Sequence, residues 1–401
     1  MSGNLPDMAS TTRTQVAVVG AGPAGLTVAN LLRRGGIDCV VLEEQSRAVI
    51  EQLPRAGFIE EWAVRALERH GLADQLLRMA ERQDQFEFRF AGGRHTVRYG
   101  EIIESRHFLY PQQLLVTDLV AAYADNGGDA RFEVSDVRLY DLESSRPVVT
   151  YVDAQTGLRH RIECDFVAGC DGAHGVTQTY FPNDTTLRAR HDYGIGWLAL
   201  LAAAPPSADG VVFGIHPRGF AAHMARSPEV TRFYLECPPG DTPEDWPDDR
   251  VWEELHARLT VPDGPITDGK LFEKRVLDMH NYVTEPMSFG RLHLAGESAH
   301  LVAPIAAKGM NLAINDALLL AAAIAAHYQG DAGKLAGYSD ACLRRVWQYQ
   351  EFSQWLSDIF HSGTADPFRA RLAQARMRRL LGSRPALVAF AQIYLGVDAD
   401  L

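Results

Sequence analysis

The fold of this 401-residue chain is decided by Val16-Ala17-Val18-Val19-Gly20-Ala21-Gly22-Pro23-Ala24-Gly25. Its first four residues are apolar, which is typical of a parallel strand that is buried on both faces. The three glycines have the spacing G-x-G-x-x-G, and apolar residues recur after them at helical intervals. One glycine permits a tight turn, one lets the backbone approach a pyrophosphate, and one lets helix and strand pack closely. The stretch therefore predicts a dinucleotide site at a helix N-terminus, where unpaired N–H groups favour an anion.

An acidic residue after the next strand supports this prediction. Asp38–Glu43 is mostly apolar and ends in Glu43, about 20 residues after the glycines, where a carboxylate accepts hydrogen bonds from a ribose. The alternative is a glycine-rich turn that binds nothing. The cofactor contacts that this segment predicts are Gly20, Gly22, Pro23, Ala24, Gly25 and Glu43.

Composition excludes several classes of protein. Hydrophobic residues make up 46% of the chain and charged residues 22%, as in ordinary globular proteins. The net charge of −12 argues against nucleic acid or an anionic membrane as the main partner. Five scattered cysteines predict reduced thiols and a cytoplasmic location. The longest apolar run, 317–326, is shorter than the roughly 20 residues that span a bilayer.

The pattern along the chain predicts an α/β protein with a second, antiparallel sheet. Gly194–Cys237 is rich in β-branched and aromatic residues, whereas Gly309–Tyr328 is a long apolar helix and Glu60–Arg78 has helical periodicity. Strands over 131–153 and 159–169 are expected to extend the first sheet. The predicted divisions are a disordered terminus (1–13), a nucleotide-binding domain (14–80, 108–180 and 281–340), a substrate-binding sheet lobe (81–107 and 181–280) and a C-terminal helical region (341–401).

Two further segments combine with the glycine turn. Cys170-Asp171-Gly172-Ala173-His174-Gly175-Val176 follows an apolar strand, and Leu294-Ala295-Gly296-Glu297-Ser298-Ala299-His300 precedes Pro304 and another helix. Each could be a plain strand-to-helix turn. In this order, the three segments resemble the class A flavoprotein aromatic hydroxylases, whose Asp-Gly motif serves FAD and NAD(P)H and whose Gly-Asp motif contacts FAD. The resemblance implies FAD contacts at Asp171, Gly172, Glu297 (which replaces the usual aspartate), Lys308, Gly309, Met310 and Asn311.

Other motifs are similar to those of the 4-hydroxybenzoate 3-hydroxylases within this family. They are Arg55-Ala56-Gly57, Tyr110-Pro111-Gln112, His216-Pro217-Arg218-Gly219-Phe220, Arg226, Arg232-Phe233-Tyr234, Glu285-Pro286-Met287, Ala307–Ala313 and Tyr394. The resemblance implies an FAD-binding Rossmann-like domain of the GR2 type, an inserted antiparallel-sheet lobe and a helical C-terminus. It also implies further FAD contacts at Arg55 and Gln112, a carboxylate clamp of Arg226 and Tyr234, Pro304 beside the reacting ring and a catalytic Tyr394. An arginine fork matches a carboxylate bidentately, which favours the clamp; the alternative is that Arg226 is a solvated strand residue.

The chain departs from that family pattern in the substrate pocket. Phe213 replaces a tyrosine that binds the substrate phenol, Met224 a serine of the carboxylate site, and Ile305 a threonine near the ring. Gln83 stands where the family has the histidine of a proton relay. The pocket is thus predicted to be more apolar, because phenylalanine can neither donate nor accept a hydrogen bond. Two kinds of substrate fit this pocket. One is an aminobenzoate or another substituted benzoate, and the other is a hydroxybenzoate that binds in a different orientation.

The resemblance implies an FAD-dependent monooxygenase that hydroxylates a small aromatic acid with NAD(P)H and O2 through a flavin C4a-hydroperoxide, as a homodimer. The alternatives are a flavin oxidoreductase that does not insert oxygen and an FAD-binding protein without turnover. His174 is expected to contact NAD(P)H. Relatives that use NADPH have basic residues where this chain has Glu44, Leu53 and His280, so NADH is the predicted coenzyme. The 14 histidines lack metal-ligand spacing, and no metal is predicted.

Overall fold

The computed structural model describes residues 9–53, 57–362 and 366–397. Its strands are β1 (Ser10–Arg13), β2 (Val16–Val19), β3 (Cys39–Leu42), β4 (Phe58–Glu60), β5 (Glu81–Gln83), β6 (Phe86–Phe90), β7 (Gly93–Val97), β8 (His107–Leu109), β9 (Asp129–Arg131), β10 (Val134–Tyr140), β11 (Val148–Asp153), β12 (Arg159–Glu163), β13 (Phe166–Gly169), β14 (Leu187–Ala203), β15 (Val211–His216), β16 (Gly219–Ser227), β17 (Val230–Cys237), β18 (Lys270–Glu285), β19 (Ser288–Phe289), β20 (Leu292–Leu294) and β21 (His300–Leu301). Its helices are α1 (Pro23–Arg34), α2 (Arg47–Gln52), α3 (Glu61–Arg69), α4 (Asp74–Met79), α5 (Gln112–Asp125), α6 (Asp248–Leu259), α7 (Gly309–Tyr328), α8 (Gly333–Ala336), α9 (Tyr338–Phe360), α10 (Pro367–Gly382) and α11 (Arg384–Leu395).

The nucleotide-binding part is built on a six-stranded sheet with the order β19-β20-β13-β2-β3-β9. All of its neighbouring strands are parallel except β19 and β20, which are antiparallel. Val16–Val19 is wholly buried in this sheet, as a continuous apolar strand requires. The parallel strands of this sheet all end at the same edge. The turns that follow β2, β3, β13 and β20 therefore lie close together.

The second large sheet has eight strands in the order β21-β18-β14-β17-β16-β15-β6-β7. All of its pairings are antiparallel except β15 with β6. Side chains of α9 and α11 join the apolar cluster on one face, and side chains of α6 join the cluster on the other. The predicted α/β fold class, with an added antiparallel sheet and a helical C-terminus, is confirmed. The residue boundaries of the domains stay a prediction.

Two smaller sheets correct parts of the sequence interpretation. Strands β10, β11 and β12 do not extend the first sheet but form a separate one with β1, in the order β1-β12-β11-β10, since consecutive antiparallel strands pair locally. The terminus is not disordered up to residue 13, because Ser10–Arg13 pairs with Arg159–Glu163. Arg13 also forms an ion pair with Asp165. Strands β4, β8 and β5 form the last sheet.

The helix predicted over 60–78 is two helices. Gly71 lies between α3 and α4 with a φ of +65°, a left-handed conformation that a continuing α-helix does not allow. The helix predicted over Gly309–Tyr328 is present with those bounds. By length and composition alone it could cross a membrane, but 67% of its apolar window is buried inside the protein. Core helices of soluble proteins pass the same test, so this helix says little about a membrane.

Candidate active site

The glycine turn after β2 combines close packing with one open position. Gly20 has a φ of +104°, and a Cβ there would overlap the carbonyl oxygen of Cys170. A Cβ on Gly25 would overlap the carbonyl oxygen of Gly20. By contrast, a Cβ on Gly22 would meet no atom within 4 Å among the described residues. Two glycines are therefore required by the fold, and Gly22 leaves open space at the start of α1 into which a ligand can come close.

Glu43 is fixed beside that turn. The backbone N–H of Ala21 donates to its Oε2 at 2.7 Å, and the N–H of Gln45 donates to its Oε1 at 2.9 Å. Helix α1 begins at Pro23, and its N-cap, Gly22, has no side chain to cap the first N–H groups. The turn thus presents free helix donors for phosphate next to an oriented carboxylate for a ribose hydroxyl.

A single cleft brings together most of the residues that were predicted to bind the cofactor. Those that line it are Gly20, Gly22, Pro23, Ala24, Glu43, Gln112, Asp171, Gly172, Glu297, Gly309 and Met310. The same cleft is lined by residues that were not predicted to contact FAD, namely Ala21, Gln45, Ile50, Leu53, Gln113, Val116, Cys170, Ala295 and Ala313. Val116 and Ala313 could have been predicted from the sequence, because each lies one helical turn after a predicted contact, Gln112 and Gly309 respectively. Arg55 lies outside the described residues.

Lys308 and Asn311 correct the predicted cofactor set. The Lys308 ammonium is fully buried, forms an ion pair with Glu60, and donates to the carbonyl oxygens of Ile393 and Tyr394 at 3.0 and 2.8 Å. These three bonds use all its donors, so its side chain is not available to FAD. Asn311 accepts from the Glu60 N–H and donates to carbonyl oxygens, which ties β4 to the start of α7.

The Asp-Gly and Gly-Glu turns are held in place by buried carboxylates. Asp171 accepts from the N–H and the hydroxyl of Thr177, and burial raises the pKa of Asp171. Gly296 has a φ of +69° and donates its N–H to Asp316 Oδ2 at 2.9 Å. The same oxygen bonds His300 Nε2 at 2.6 Å, so Asp316 of α7 and His300 position the turn that carries Glu297. No local sequence pattern predicts this pair, because its partners meet only in the fold.

These features fit FAD. The open side of Gly22, the uncapped start of α1 and the fixed Glu43 match a pyrophosphate and a ribose. The start of α7 supplies Gly309 and Met310 to the same cleft, and Ala307 in the turn before α7 has a φ of +55°. A non-glycine residue in this conformation is strained, and such strain concentrates at functional sites.

The residues that were predicted to bind substrate share one face of the eight-stranded sheet. Phe213, Ala222, Tyr234 and Ala199 are successive cross-strand partners from β15 to β14, and cross-strand partners project to the same side. Met224 pairs with Arg232 in the same way. Ile305 and Tyr394 belong to the apolar cluster that covers this face. We call it the substrate face.

Two arginines lie at one end of the substrate face, of which Arg232 is buried and Arg226 is partly buried. The pKa of Arg226 is lowered to about 10, by burial first and then by the neighbouring charge of Arg232. Arg232 is 7% exposed and its Nη1 lies 3.5 Å from the Tyr234 hydroxyl. Arg226 is therefore only partly exposed to solvent. Two neighbouring positive charges beside the Tyr234 hydroxyl favour an anion as their ligand, as a carboxylate clamp requires.

Phe213 and Tyr394 lie in an aromatic cluster. Phe213 stacks on Phe360 with ring centroids 5.1 Å apart. Pro304, at the start of the turn Pro304–Ala306, is exposed.

A histidine lies beside Tyr394, although Gln83 stands where the family resemblance implies the relay histidine. His107 is 4.9 Å from Tyr394 between ring centroids, and its Nδ1 lies 3.3 Å from the Tyr99 hydroxyl. Burial lowers the pKa of His107 well below its usual value, so this imidazole is neutral at pH 7.

The residues predicted to contact NAD(P)H are not all together. Glu44 and His174 line a second cleft, next to the first, that also contains Asp136. His280 lies on β18 and its Nδ1 is 3.0 Å from Asp278 Oδ2, and it does not line this cleft.

A group of three possible metal ligands forms on the surface. Asp192, Asp278 and His280 place ligand atoms within 4.8 Å of one another, which sequence spacing did not reveal. Both aspartates are exposed and lie near Arg190, so exposed ion pairing accounts for the group.

Comparisons with known proteins identify the family of this chain. The family model described as "FAD binding domain" matches residues 13–353. The p-hydroxybenzoate hydroxylase of Acinetobacter baylyi is 35% identical over 396 residues, which cover 98% of this chain and 97% of that protein. The chain belongs to the FAD-dependent aromatic hydroxylases. This hydroxylase is also 27% identical to the 3-(3-hydroxy-phenyl)propionate/3-hydroxycinnamic acid hydroxylase of Mycolicibacterium gilvum, over 82% of its own length and 56% of that relative.

Solved structures show the same fold. The hydroxylase superposes on p-nitrophenol 4-monooxygenase of Pseudomonas putida with a TM-score of 0.82 and 19% identity, covering 97% of this chain and 98% of that one. It superposes on aklavinone-11 hydroxylase, solved with FAD and aklavinone, with a TM-score of 0.72 and 21% identity, covering 89% and 70%. The match to the FAD-binding family model and the 35% identity to p-hydroxybenzoate hydroxylase show that the hydroxylase is an FAD-dependent monooxygenase. The features of the lined cleft fit FAD.

Glu43 offers a direct test of that site. We expect Glu43→Gln to raise the Kd of the apoprotein for FAD about tenfold, because a hydrogen bond to a charged acceptor is stronger by roughly 1–2 kcal/mol than one to a neutral acceptor. Fluorescence titration of the apoprotein with FAD measures this. The adjacent and exposed Glu44 gives the matched control, since Glu44→Gln should leave the FAD affinity unchanged. Equal effects of the two substitutions would contradict the assignment of Glu43 to the ribose.

Proposed function

We propose that the hydroxylase adds a hydroxyl group to a small aromatic carboxylic acid, with NAD(P)H and O2 as co-substrates. The observation that carries the proposal is the pair of neighbouring guanidiniums, the partly buried Arg226 and the buried Arg232, beside Tyr234 on the substrate face. The carboxylate group of an aromatic acid would pair with the guanidiniums, and its ring would pack on the apolar remainder of the substrate face. The similarity to p-hydroxybenzoate hydroxylase supports the same substrate class.

Bound FAD would supply the redox chemistry, which is acceptance of electrons from NAD(P)H and transfer of oxygen to the substrate, by the route that the family resemblance implies. The chain's own residues bind the substrate carboxylate, hold the ring against Phe213 and Ile305, and exclude water. Ile305 and Phe213 are 3% and 8% exposed, so the ring environment is dry. Exclusion of water strengthens each polar contact to the substrate and limits side reactions.

The test is coupled turnover. Substituted benzoates are screened with the holoenzyme for accelerated NADH oxidation, and the products are analysed by mass spectrometry under 18O2. We expect at least one benzoate to accelerate oxidation and to yield a product that carries one 18O atom. Accelerated oxidation with hydrogen peroxide as the sole product would instead favour a flavin oxidoreductase that does not insert oxygen.

The second candidate is an amino-substituted or otherwise substituted benzoate. Phe213 favours it, because its ring contacts Phe86, Phe88, Phe220 and Phe360 and provides no hydrogen-bonding atom for a phenol. The same panel separates the two candidates when it contains matched hydroxy- and aminobenzoates.

We propose NADH as the preferred coenzyme. Glu44, Asp136, Glu43 and Asp171 all line the cleft that holds His174, and carboxylates repel a 2′-phosphate. Stopped-flow flavin reduction is expected to be faster and to saturate at lower concentration with NADH. Glu44→Gln should improve NADPH several-fold and leave NADH unchanged. Faster reduction by NADPH in the wild-type protein would reject the proposal.

The cellular setting is also a proposal. All five cysteines are free and buried, which supports a reducing, cytoplasmic location. The net charge of −12 supports the proposal that neither nucleic acid nor an anionic membrane is a partner. A homodimer is proposed from the family resemblance. Sedimentation of the holoenzyme tests it.

A further inference from the structure

A third cavity lies between helix α9 and the two long strands β14 and β18. We call it the α9 cavity. Its volume is about 280 Å³, which is near the lower end for small-molecule sites and suits a compound with a single ring. Among the described residues, none that lines this cavity also lines the FAD cleft or the neighbouring cleft of Glu44 and His174. The α9 cavity is therefore separate from the sites described so far.

The helix side of the α9 cavity combines one aromatic ring with polar groups. The α9 residues that line it are Trp347, Gln350, Glu351 and Gln354. Their spacing of three and four residues places them on one face of the helix. Trp347 is 42% exposed, and its Nε1 donates to Glu285 Oε2 at 3.3 Å, which orients the indole. The cavity therefore offers an accessible aromatic surface on which a flat ring can stack.

The sheet side of the α9 cavity is apolar or already bonded. Ala189 and Val283 are cross-strand partners on β14 and β18, and both line the cavity. Asn281 lies two residues before Val283, so the two side chains share one side of the sheet. Asn281 Nδ2 donates to the Tyr193 hydroxyl at 2.9 Å, and its Oδ1 accepts from the Ala303 N–H at 2.7 Å. Both ends of this amide are therefore engaged within the protein.

The amide nitrogens on the helix side are engaged as well. Gln350 Nε2 donates to the Leu301 carbonyl oxygen at 2.9 Å, and Gln354 Nε2 donates to Asp358 Oδ1 at 3.1 Å. Carbonyl and carboxylate oxygens only accept, so each amide must turn its nitrogen toward these partners. The imidazole of His191, which also lines the cavity, can donate or accept and does not decide between ligands.

Acceptors are the groups that remain for a ligand. Gln350 is 6% exposed, and its Oε1 is buried and has no hydrogen-bond partner in the part of the chain that the structure describes. A buried oxygen in this state has lost its hydration without compensation. Gln354 likewise keeps its amide oxygen for a ligand, and the carboxylate of Glu351 is exposed at the rim. The α9 cavity therefore favours a ligand that donates hydrogen bonds.

The charges around the α9 cavity favour a cation over an aromatic acid. Arg190 lines the cavity, but its guanidinium pairs with Asp192 at 2.8 Å and lies 3.9 Å from Asp278. Glu351 adds a carboxylate at the rim, and Glu285 adds another beside Trp347. This balance is the reverse of that on the substrate face, where two guanidiniums favour an anion.

We propose that the α9 cavity is a second binding site, whose ligand is a flat aromatic compound with a positively charged, N–H-donating group such as an amidinium or ammonium. The ring stacks on Trp347, where a cation also gains from the face of the indole. The N–H groups meet the oxygens of Gln350, Gln354 and Glu351. This inference goes beyond the proposed function and does not depend on it.

The experiment compares two probes of the same shape and opposite charge. Benzamidinium and benzoate are both planar, and isothermal titration calorimetry measures their binding to the holoenzyme. We expect benzamidinium to bind with a Kd below about 10 mM, as a ligand with so few atoms can. Saturating benzoate should not displace it, because an anion is disfavoured in the α9 cavity.

Two variants separate the ring from the charge. Trp347→Ala should raise the Kd of benzamidinium about fivefold, because the stacked ring is lost. Glu351→Gln should raise it about threefold, since an exposed charge contributes modestly. Neutral benzamide, which has the same shape, should lose affinity in Trp347→Ala and keep it in Glu351→Gln. The matched control is Glu68→Gln, because Glu68 is an exposed glutamate on α3 that does not line the cavity.

Each outcome decides the question. The inference is wrong if benzamidinium does not bind below about 10 mM, if benzoate displaces it, or if Trp347→Ala leaves its Kd unchanged. Equal effects of Glu351→Gln and Glu68→Gln would show only a general attraction to a protein with a net charge of −12. Equal affinity for benzamidinium and benzamide would show that the cavity does not select a cation. Failure of the proposed function leaves this inference standing, because none of these measurements requires turnover.

Discussion

Replacing Arg226 with alanine is expected to raise the Kd of the holoenzyme for a benzoate by about 100-fold or more. Truncation of one member of a buried charge pair costs about 2–5 kcal/mol, and each 1.4 kcal/mol is a factor of ten. The Arg226 side chain is buried enough to lower its pKa to about 10, so it stays charged at pH 7 and meets the carboxylate with little competing water. The change in FAD absorbance on benzoate binding measures the effect.

The charge and the shape of the guanidinium can be separated with a second variant. Arg226→Lys keeps the charge and loses the bidentate fork, so its Kd should lie between those of wild-type protein and the alanine variant. Arg275→Ala is the matched control, because Arg275 is an exposed arginine on β18 of the same sheet. A benzoate Kd that stays within threefold of wild type in Arg226→Ala would show that the carboxylate binds elsewhere.

The pH dependence of this interaction has a definite sign. The pKa of Arg226 is lowered in the folded protein, so the charged clamp is complete below about pH 9 and is lost as the pH rises through about 10. Benzoate affinity should therefore fall in that range. Arg226→Ala, which has no guanidinium there to titrate, should show no such fall.

The nucleotide turn could be predicted from sequence because its geometry is local. Several of the contacts that define it join residues close in the chain, such as Ala21 with Glu43 and Gly25 with Gly20, and glycine spacing encodes their backbone requirements. The order of motifs likewise identified the family. The polar strand at Ser10–Arg13 was missed because its stability comes from a partner 150 residues away, which no local pattern reveals.

The interior of the site was less predictable, and for one physical reason. A polar side chain in the core takes whichever partner the fold brings to it. Lys308 follows a cofactor-binding pattern, yet its ammonium reaches Glu60, which is 248 residues away in the chain. Gln83 stands where the family resemblance implies a histidine, but His107 comes to lie beside Tyr394 from another strand.

Gly22→Val is expected to abolish tight FAD binding without unfolding the protein, and the purified variant should be colourless. The three glycines of the turn differ in what surrounds them, so the same kind of substitution gives two outcomes. A side chain on Gly22 meets no protein atom within 4 Å among the described residues but occupies the space in which the pyrophosphate approaches α1. Loss of two or more phosphate hydrogen bonds and a steric conflict should raise the Kd for FAD at least about 100-fold.

Gly20→Ala and Gly25→Ala provide the contrast, because a Cβ at either position overlaps backbone oxygens. These two variants should lose folded protein, as seen by circular dichroism and a lowered Tm, whereas Gly22→Val should keep the wild-type spectrum in the far ultraviolet. Gly382→Val is the matched control, since Gly382 also has open space around it and lies at the end of α10, away from the cleft. FAD binding by Gly22→Val at wild-type affinity would place the pyrophosphate away from this helix N-terminus, because no folded turn can hold both the valine side chain and a phosphate at that point.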